Sequence, residues 1–278
     1  MVAPATAAVG IEETAPFVSV RRWKALVEAV GSERAVDGSM LVEPVRRIKS
    51  PAEIAYIREA CRLVDAGMVA AFAAAREGST ENLVSVAAYE AMVGGGSDFL
   101  ATDPIVTSGF RGTIAHTTFA NRTLGPGDPV LIELGACKRR YFGALMRTAT
   151  VGEVAEPFGE IRAVLEHALD ACIAAIGPGV TASEVDAVCR GAIADGGYGD
   201  YFRKRTGYSI GLAYAPDWGE GHLVSLGEGD ETPLEAGMVF HIPPAVRIPG
   251  TTVFGISETV LVTDEGHEVL TRYARDAA

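Results

Sequence analysis

Two kinds of hydrophobic pattern alternate along this chain: stretches with apolar residues at helical spacing, and short stretches that are almost continuously apolar. Apolar residues three and four positions apart predict amphipathic helices, which lie at residues 21–30, 51–75, 81–93, 158–176 and 182–194. Short apolar runs bounded by Gly, Pro and polar residues predict strands, which lie at residues 39–42, 104–107, 130–136, 140–152, 209–214, 238–242 and 258–262. A strand and a turn are also predicted within residues 9–20.

The helix predicted at residues 51–75 has a well-defined start. Ser50 can cap the helix N-terminus, and Glu53 can return a hydrogen bond to the cap. Pro51 fits the first turn because its missing N–H needs no partner there. Three agreeing signals make this the best-defined element boundary in the chain.

The predicted elements follow the order helix, helix, strands, and this order then repeats. The repeat indicates an α+β domain made of two similar halves. Residues 1–45 contain one predicted helix and short strands, which are too few to bury a core of their own. We therefore divide the chain into residues 1–45 and a main domain at residues 46–278.

Composition narrows the class of protein. The chain has 278 residues, 48% of them hydrophobic, and a mean hydropathy of +0.20, which allows a sizeable core. Its net charge of −12, without a basic face, argues against a nucleic-acid partner. No apolar run reaches spanning length, and the first residues lack the pattern of a signal peptide. Four cysteines without paired or ligand-type spacing complete the expectation of a cytoplasmic protein with no membrane contact.

Several separated motifs occur in one order along the main domain. They are Arg46-Arg-Ile-Lys-Ser-Pro-Ala-Glu-Ile54, Val130-Leu-Ile-Glu-Leu-Gly135, Arg147-Thr148, Thr206-Gly-Tyr-Ser-Ile-Gly-Leu212, Gly237-Met-Val-Phe240 and Gly255-Ile-Ser-Glu-Thr-Val-Leu-Val262. Together they resemble the pita-bread family of methionine aminopeptidases, proline dipeptidases and creatinase. The resemblance implies a curved antiparallel sheet backed by helices in two pseudo-symmetric halves. It also implies that residues 1–45 are the remnant of a larger N-terminal domain and that the protein is a homodimer.

In that family, two Asp, one His and two Glu surround a pair of metal ions. The matching positions in this chain hold Glu133, Ala144, Tyr208, Pro243 and Glu258. The side chains of Ala, Tyr and Pro cannot bind a metal ion in that role, and only two oxygen ligands remain. We therefore expect no metal ion and no other cofactor, and a reaction that needs no Lewis acid.

Three side chains are candidates for catalysis. Glu133 is a carboxylate inside an apolar run, where burial is costly unless the group is paired; a solvated strand face is the alternative. Glu258 resembles a Glu that touches the substrate in creatinase-like relatives. His116, on a predicted loop, resembles the acid/base His of creatinase. We expect these three and Tyr208 to meet at one concave site, where Glu258 attacks the substrate or activates water.

Aromatic residues and one further histidine are candidates for substrate binding. They are Tyr208, Tyr214, Trp218, Phe119 and His222. Aromatic rings that flank an acid suit a small cation stacked on the rings. Packing of a loop against the core explains the same residues equally well, and both interpretations stay open here.

Three segments, at residues 108–122, 133–148 and 207–222, resemble those of ectoine hydrolases, which are metal-free members of the same scaffold. The resemblance implies a small cationic or zwitterionic substrate. The expected reaction is the opening of ectoine to N-acetyl-2,4-diaminobutyrate. Two alternatives remain: a creatinase-like hydrolase of another guanidino or amidino compound, and a non-catalytic binding protein.

Overall fold

The computed structural model of the protein describes residues 7–14 and 17–277. The chain divides into two compact units, Met1–Arg47 and Ile48–Ala278. Pro16, which belongs to the turn predicted near the start of the chain, lies outside the described residues. Within the described ranges, no helix is both long enough and apolar enough to cross a bilayer.

The first unit contains one longer helix and three short elements. They are strand β1 (Val9–Ile11), helix α1 (Val20–Val30), strand β2 (Ala35–Asp37) and helix α2 (Glu43–Arg47). The two strands pair in parallel. The helix predicted at residues 21–30 is confirmed, and Ser19 caps it by accepting the backbone N–H of Arg22.

The strand predicted at residues 39–42 is wrong, because this segment forms a turn. Ser39 Oγ accepts the backbone N–H groups of Glu13 at 2.9 Å and Thr14 at 3.2 Å. Asp37 Oδ1 in turn accepts the backbone N–H of Ser39 at 2.8 Å. Short polar side chains of this kind offer the backbone hydrogen bonds that compete with a sheet.

The second unit opens with two helices and a three-stranded sheet. The elements are α3 (Pro51–Ala74), α4 (Glu81–Gly94), β3 (Ile105–Ser108), β4 (Pro129–Lys138) and β5 (Tyr141–Thr150). The strands are antiparallel in the order β3-β4-β5. The predicted capping box of Ser50 and Glu53 is present at the start of α3.

The same order of elements recurs in the second half of this unit. The elements are α5 (Phe158–Ala174), α6 (Ala182–Asp195), β6 (Gly207–Ser209), β7 (Ser225–Leu226), β8 (Val239–Ile242), β9 (Ala245–Ile248), β10 (Thr252–Gly255), β11 (Glu258–Thr263) and β12 (Gly266–Val269). Five strands form a sheet in the order β12-β11-β8-β6-β7, and β9 pairs with β10 as a hairpin. The repeated order confirms the predicted α+β class.

One strand prediction in the second half needs correction, and the short strands β7, β9, β10 and β12 were not predicted. The strand predicted at residues 209–214 ends at Ser209, and Ile210 beyond it forms an isolated bridge to Gly219. The hydrophobic pattern also misses the hairpin of β9 and β10. Prolines at 243, 244 and 249 interrupt the sequence there. The segments between them are too short to show a strand pattern.

Helix α3 lies against β5 at a glycine. A Cβ atom added to Gly143 would lie 2.6 Å from the backbone N of Cys61 and 2.7 Å from its Sγ. Cys61 is fully buried, and burial raises the pKa of its thiol, so it behaves as a small apolar core residue. The close approach of helix and strand therefore depends on the missing side chain of Gly143.

We expect Gly143→Ala to destabilise the protein by about 1–3 kcal/mol, because the added methyl group overlaps the Cys61 backbone. The matched control is Gly191→Ala in α6, where the added Cβ atom meets open space. Alanine favours a helix interior over glycine by about 0.5–1 kcal/mol, so the control should be neutral or stabilising. Denaturant unfolding measures both free energies, and equal stability of the two variants would contradict the tight contact.

Candidate functional site

Both halves of the second unit line one cavity of about 600 Å³. The lining residues that matter for its chemistry are His116, Glu133, Met146, Lys204, Tyr208 and Arg247. The first three come from the loop after β3, from β4 and from β5, and the last three precede or belong to strands of the second half. The cavity therefore forms only when the two halves pack together.

Glu133 is the buried acid of the cavity. Strand register places it between Ile105 of β3 and Met146 of β5, and only 8% of the residue is exposed. Its carboxylate has no hydrogen-bond partner in the described part of the chain. Burial raises the pKa of Glu133, and the positive charges of Arg247 and Lys204 oppose that rise. The carboxylate is thus buried beside cations, and the alternative of a solvated strand face does not hold.

Arg247 is a partly buried cation of the cavity. Its Nε atom is buried and has no hydrogen-bond partner among residues 7–14 and 17–277. Burial lowers the pKa of Arg247, and the charge of Glu133 opposes that change. Burial and then the charge of Arg247 also lower the pKa of Lys204, against the effect of Glu133. One negative and two positive groups therefore influence one another across the cavity.

His116 lies beside Lys204 on the cavity wall. Its Nε2 atom is 3.2 Å from Lys204 Nζ. An ammonium group can only donate, so His116 Nε2 accepts and the imidazole is neutral. Burial and then the charge of Lys204 lower the pKa of His116, which agrees with a neutral ring. The φ angle of 57° at His116 is uncommon for a residue with a side chain, so neighbouring groups must hold this conformation.

A line of hydrogen bonds leads from Tyr208 into the interior. Tyr208 Oη accepts the indole N–H of Trp218 at 2.8 Å and lies 2.9 Å from His241 Nδ1. His241 Nε2 lies 2.8 Å from Ser257 Oγ. Ser257 Oγ accepts the backbone N–H of Met146 at 2.6 Å. We call Trp218, Tyr208, His241 and Ser257 the hydrogen-bond line.

The groups of the hydrogen-bond line are neutral. Full burial, and then the charge of Arg147, lower the pKa of His241 to about 3. Burial, and then the charge of Glu133, raise the pKa of Tyr208. Both rings therefore stay uncharged near neutral pH. At Tyr208, the line holds a neutral phenol where the resemblance implies a metal-binding histidine.

Of the four candidates expected to meet, Glu133, His116 and Tyr208 line the cavity, and Glu258 is not among its described lining residues. Arg147 Nη2 donates to Glu258 Oε1 at 2.9 Å, and Arg275 Nε donates to the same oxygen at 3.1 Å. Thr271 Oγ1 donates to the other oxygen. Ser257 faces His241, and the next residue, Glu258, faces the buried arginines instead.

The expected aromatic cage around a substrate is not formed. Tyr214 is 56% exposed, Phe119 packs against an apolar cluster and His222 is exposed. Trp218 is buried because its ring fills the space over Gly135, where a Cβ atom would lie 2.5 Å from Trp218 Cε3. Of the five predicted binding residues, only Tyr208 is a described lining residue of the cavity.

Sequence reasoning misses Lys204 and Arg247 and gives His241 no role. One signal was available for the first of these, since residues 203–205 are three consecutive basic residues beside the Tyr208 motif in an acidic chain. Arg247 stands alone in a short strand and carries no local signal. Its place in the cavity follows from the hairpin of β9 and β10.

The residues at the metal-ligand positions of the resembled family do not fit a pair of metal ions. The Ala144 and Pro243 side chains carry no donor atom, and Tyr208 Oη is already bonded to Trp218 and His241. In the ranges that the structure describes, no group of three or more His, Cys, Asp or Glu side chains could hold a metal ion. The side chains at these positions therefore do not supply the ligand set that the resemblance implies.

We expect Glu258→Gln to destabilise the protein by about 3–5 kcal/mol, because it leaves the buried Arg147 charge without its acid. The matched control is Glu268→Gln, which breaks an exposed pair with Arg58 and should cost less than about 1 kcal/mol. Denaturant unfolding at neutral pH compares the two variants. A Glu258→Gln variant as stable as the control would show that the carboxylate is free for another role.

Comparison with known proteins identifies the family. The sequence model of metallopeptidase family M24 matches residues 55–264 of this chain. A Xaa-Pro dipeptidase of Pyrococcus horikoshii is 32% identical over 267 residues, which cover 96% of this chain and 74% of the relative. The solved prolidase of Pyrococcus furiosus matches with a TM-score of 0.86 at 31% identity, over 97% of this chain and 77% of that chain. A solved Xaa-Pro dipeptidase of Bacillus anthracis matches with a TM-score of 0.88 at 31% identity, over 97% and 73%.

These relatives correct the expected function and confirm the expected fold. They are named as dipeptidases, which contradicts the expectation of an ectoine hydrolase or of a hydrolase for another amidino compound. The solved structures share the pita-bread architecture over nearly the whole chain. With the family model matched and relatives above 30% identity, the chain belongs to metallopeptidase family M24, a family of hydrolases.

Proposed function

We propose that the cavity binds a short peptide as a zwitterion, with the ammonium group at Glu133 and the carboxylate at Arg247 and Lys204. One observation carries the proposal: the cavity contains a buried acid and a buried guanidinium Nε without hydrogen-bond partners in the described residues. Relatives are named as Xaa-Pro dipeptidases, so a dipeptide is the first molecule to test.

The Glu133 carboxylate supports a cationic ligand group at its end of the cavity. A buried carboxylate without a hydrogen bond is costly, and burial accordingly raises the pKa of Glu133. The nearby cations act through space but form no hydrogen bond with it in the described residues. An ammonium group brings three donors and the opposite charge, so it would stabilise the ionised acid.

Arg247 and Lys204 support an anionic ligand group at the other end. A guanidinium group presents donors in a planar fork that matches the two oxygens of a carboxylate. The Nε of that fork has no partner in the described residues, although the atom is buried. The volume of about 600 Å³ lies within the range of about 300–1,000 Å³ that is usual for small-molecule pockets.

Peptide binding at this cavity is a separate matter from cleavage by a metal-bound hydroxide. Ala144 and Pro243 supply no ligand atoms at the positions where the family holds metal ions. These two side chains therefore cannot help to bind a metal ion that activates water. Glu133 and His116 are the titratable groups beside the proposed ligand that can take up or release a proton. Glu258 instead holds β11 to β5 through Arg147.

We expect wild-type protein to bind L-alanyl-L-proline, and Glu133→Gln and Arg247→Met each to weaken binding by about 10- to 100-fold. A hydrogen bond to a charged group contributes about 1.5–3 kcal/mol, which corresponds to this range. Isothermal titration calorimetry measures the dissociation constants. Glu90→Gln and Arg76→Met, at exposed positions outside the cavity lining, are the matched controls and should bind like the wild type.

Two analogues of the dipeptide test which protein residue binds each end of the ligand. N-acetyl-alanyl-proline lacks the ammonium group, so its binding should not respond to Glu133→Gln. Alanyl-prolinamide lacks the carboxylate, so its binding should not respond to Arg247→Met. The same samples are incubated with Mn²⁺ while free proline is measured. Absence of dipeptide binding would refute the proposal, whereas proline release that depends on Mn²⁺ would show that the bound dipeptide is also cleaved.

The affinity for alanyl-proline should fall as the pH drops through the raised pKa of Glu133. Above that pKa the acid is ionised and attracts the ammonium group, and below it the attraction is lost. Calorimetric titrations across the acidic range measure the profile. Glu133→Gln should remove this acidic limb, and an unchanged limb in the variant would assign the titration to another group.

A further inference from the structure

We infer that His241 and Ser257 fix Tyr208 as a hydrogen-bond donor towards the cavity, so that a bound ligand must present an acceptor oxygen to the Tyr208 hydroxyl group. For the ligand of the proposed function, this acceptor is a peptide carbonyl oxygen. The inference uses that ligand in one of its tests, but the direction of the hydrogen bonds follows from the protein alone.

The direction is set at the buried end of the hydrogen-bond line. The backbone N–H of Met146 can only donate, and it occupies one lone pair of Ser257 Oγ. Ser257 is fully buried, and the only other hydrogen-bond partner of its Oγ among the described residues is His241 Nε2 at 2.8 Å. The hydroxyl hydrogen of Ser257 therefore has one available acceptor, which is His241 Nε2.

The Ser257 hydroxyl donor determines which nitrogen of His241 carries the hydrogen. This tautomer then determines whether the Tyr208 hydroxyl group donates or accepts. A neutral imidazole carries one N–H, so when Nε2 accepts, the hydrogen is on Nδ1 and is donated to Tyr208 Oη. The indole N–H of Trp218 can only donate, and it also points at Tyr208 Oη. Both acceptor positions of the phenol oxygen are then used. Its own hydrogen is left to donate, and Tyr208 lines the cavity.

The opposite direction leaves a buried donor without a partner. If Tyr208 donated to His241 Nδ1, Nε2 would donate to Ser257 Oγ, which would then accept two hydrogen bonds. The Ser257 hydroxyl hydrogen would have no acceptor among residues 7–14 and 17–277. An unsatisfied buried donor is costly, whereas a phenol at a cavity can reach the ligand or solvent. The first direction is therefore favoured.

The consequence is a selective contact in the middle of the cavity. A fixed donor attracts carbonyl or carboxylate oxygens and opposes ammonium or amide N–H groups at the same place. His241 and Ser257 act through Tyr208 and do not line the cavity in the described structure, so they are positioning residues.

The direct test is the tautomer of His241 in the free protein. Long-range ¹H–¹⁵N correlation spectra distinguish a hydrogen on Nδ1 from one on Nε2. We expect the Nδ1–H form alone throughout the range of about pH 5–8, in which an ordinary histidine titrates. An Nε2–H form, or a titration in this range, would overturn the inference. The measurement needs no ligand, so it is independent of the proposed function.

Variants of Ser257 test the cause of the tautomer. Ser257→Ala removes the hydroxyl donor, and we expect the Nε2–H form of His241 to appear. Ser257→Thr keeps a hydroxyl group and should keep the Nδ1–H form alone. Ser85→Ala, a buried serine in α4 outside the hydrogen-bond line, is the control and should leave the spectrum unchanged. If Ser257→Ala still showed only the Nδ1–H form of His241, the Ser257 hydroxyl group would not be the cause of the tautomer, and that part of the inference would be wrong.

Binding of alanyl-proline tests the donor towards the ligand. Tyr208→Phe should weaken it by about 2- to 10-fold, the range for a neutral hydrogen bond. Ser257→Ala should weaken it similarly although it does not line the cavity, and Ser257→Thr should restore it. If alanyl-proline binds Tyr208→Phe as tightly as wild type, the inference is overturned and the proposed function stands. If alanyl-proline does not bind at all but His241 shows the Nδ1–H form, the hydrogen-bond direction stands and the proposed function fails.

Discussion

The buried pair of Arg147 and Glu258 joins the two halves of the main unit, and the rest of the site depends on this junction. Arg147 lies in β5 of the first half, and Glu258 begins β11 of the second. Both side chains are almost fully buried, and Arg147 also donates to the backbone oxygens of Ser257 and Tyr273. A buried charge is tolerated only with its partner in place, so the halves have one arrangement in which these groups are satisfied.

The same junction positions the polar groups of the cavity. Ser257 N–H donates to the backbone oxygen of Met146 at 2.9 Å, and Met146 N–H donates to Ser257 Oγ. Ser257, which precedes β11, supports the neutral hydrogen-bond line, while Glu258, the first residue of β11, forms the ion pair. The start of β11 and the adjoining part of β5 thus provide both the buried ion pair and the support for the hydrogen-bond line.

The chain also shows how a family fold tolerates a changed site. The solved relatives superimpose over nearly its whole length at 31% identity. The fold depends on many buried apolar contacts, and Ala144 is fully buried among them without any need for a carboxylate. A metal pair depends on a few ligand atoms with fixed geometry. The fold of this chain accommodates Ala144 and Pro243 at two of the positions that match those ligand atoms, and its packing is intact.

The sequence by itself determined the elements and the family. Helical and strand periods, the cap at Ser50 and the order of motifs follow from local preferences and from burial, which a linear pattern records. The apolar run around Glu133 favoured an interior carboxylate, but a solvated strand face stayed open until the structure showed the residue to be buried. These features can be predicted without knowing which residues, far apart in sequence, are close together in the folded protein.

Only the tertiary structure decided the partners of the charged groups. Arg147 and Glu258 are 111 residues apart, and a shift of one position in the pairing of β11 would turn the Glu258 side chain to the other face of the sheet. Lys204 and Arg247 reach the cavity from a loop and from a hairpin that the hydrophobic pattern does not show. Electrostatic and hydrogen-bond roles depend on distances of a few ångströms between residues far apart in sequence, and those distances are set when the two halves pack.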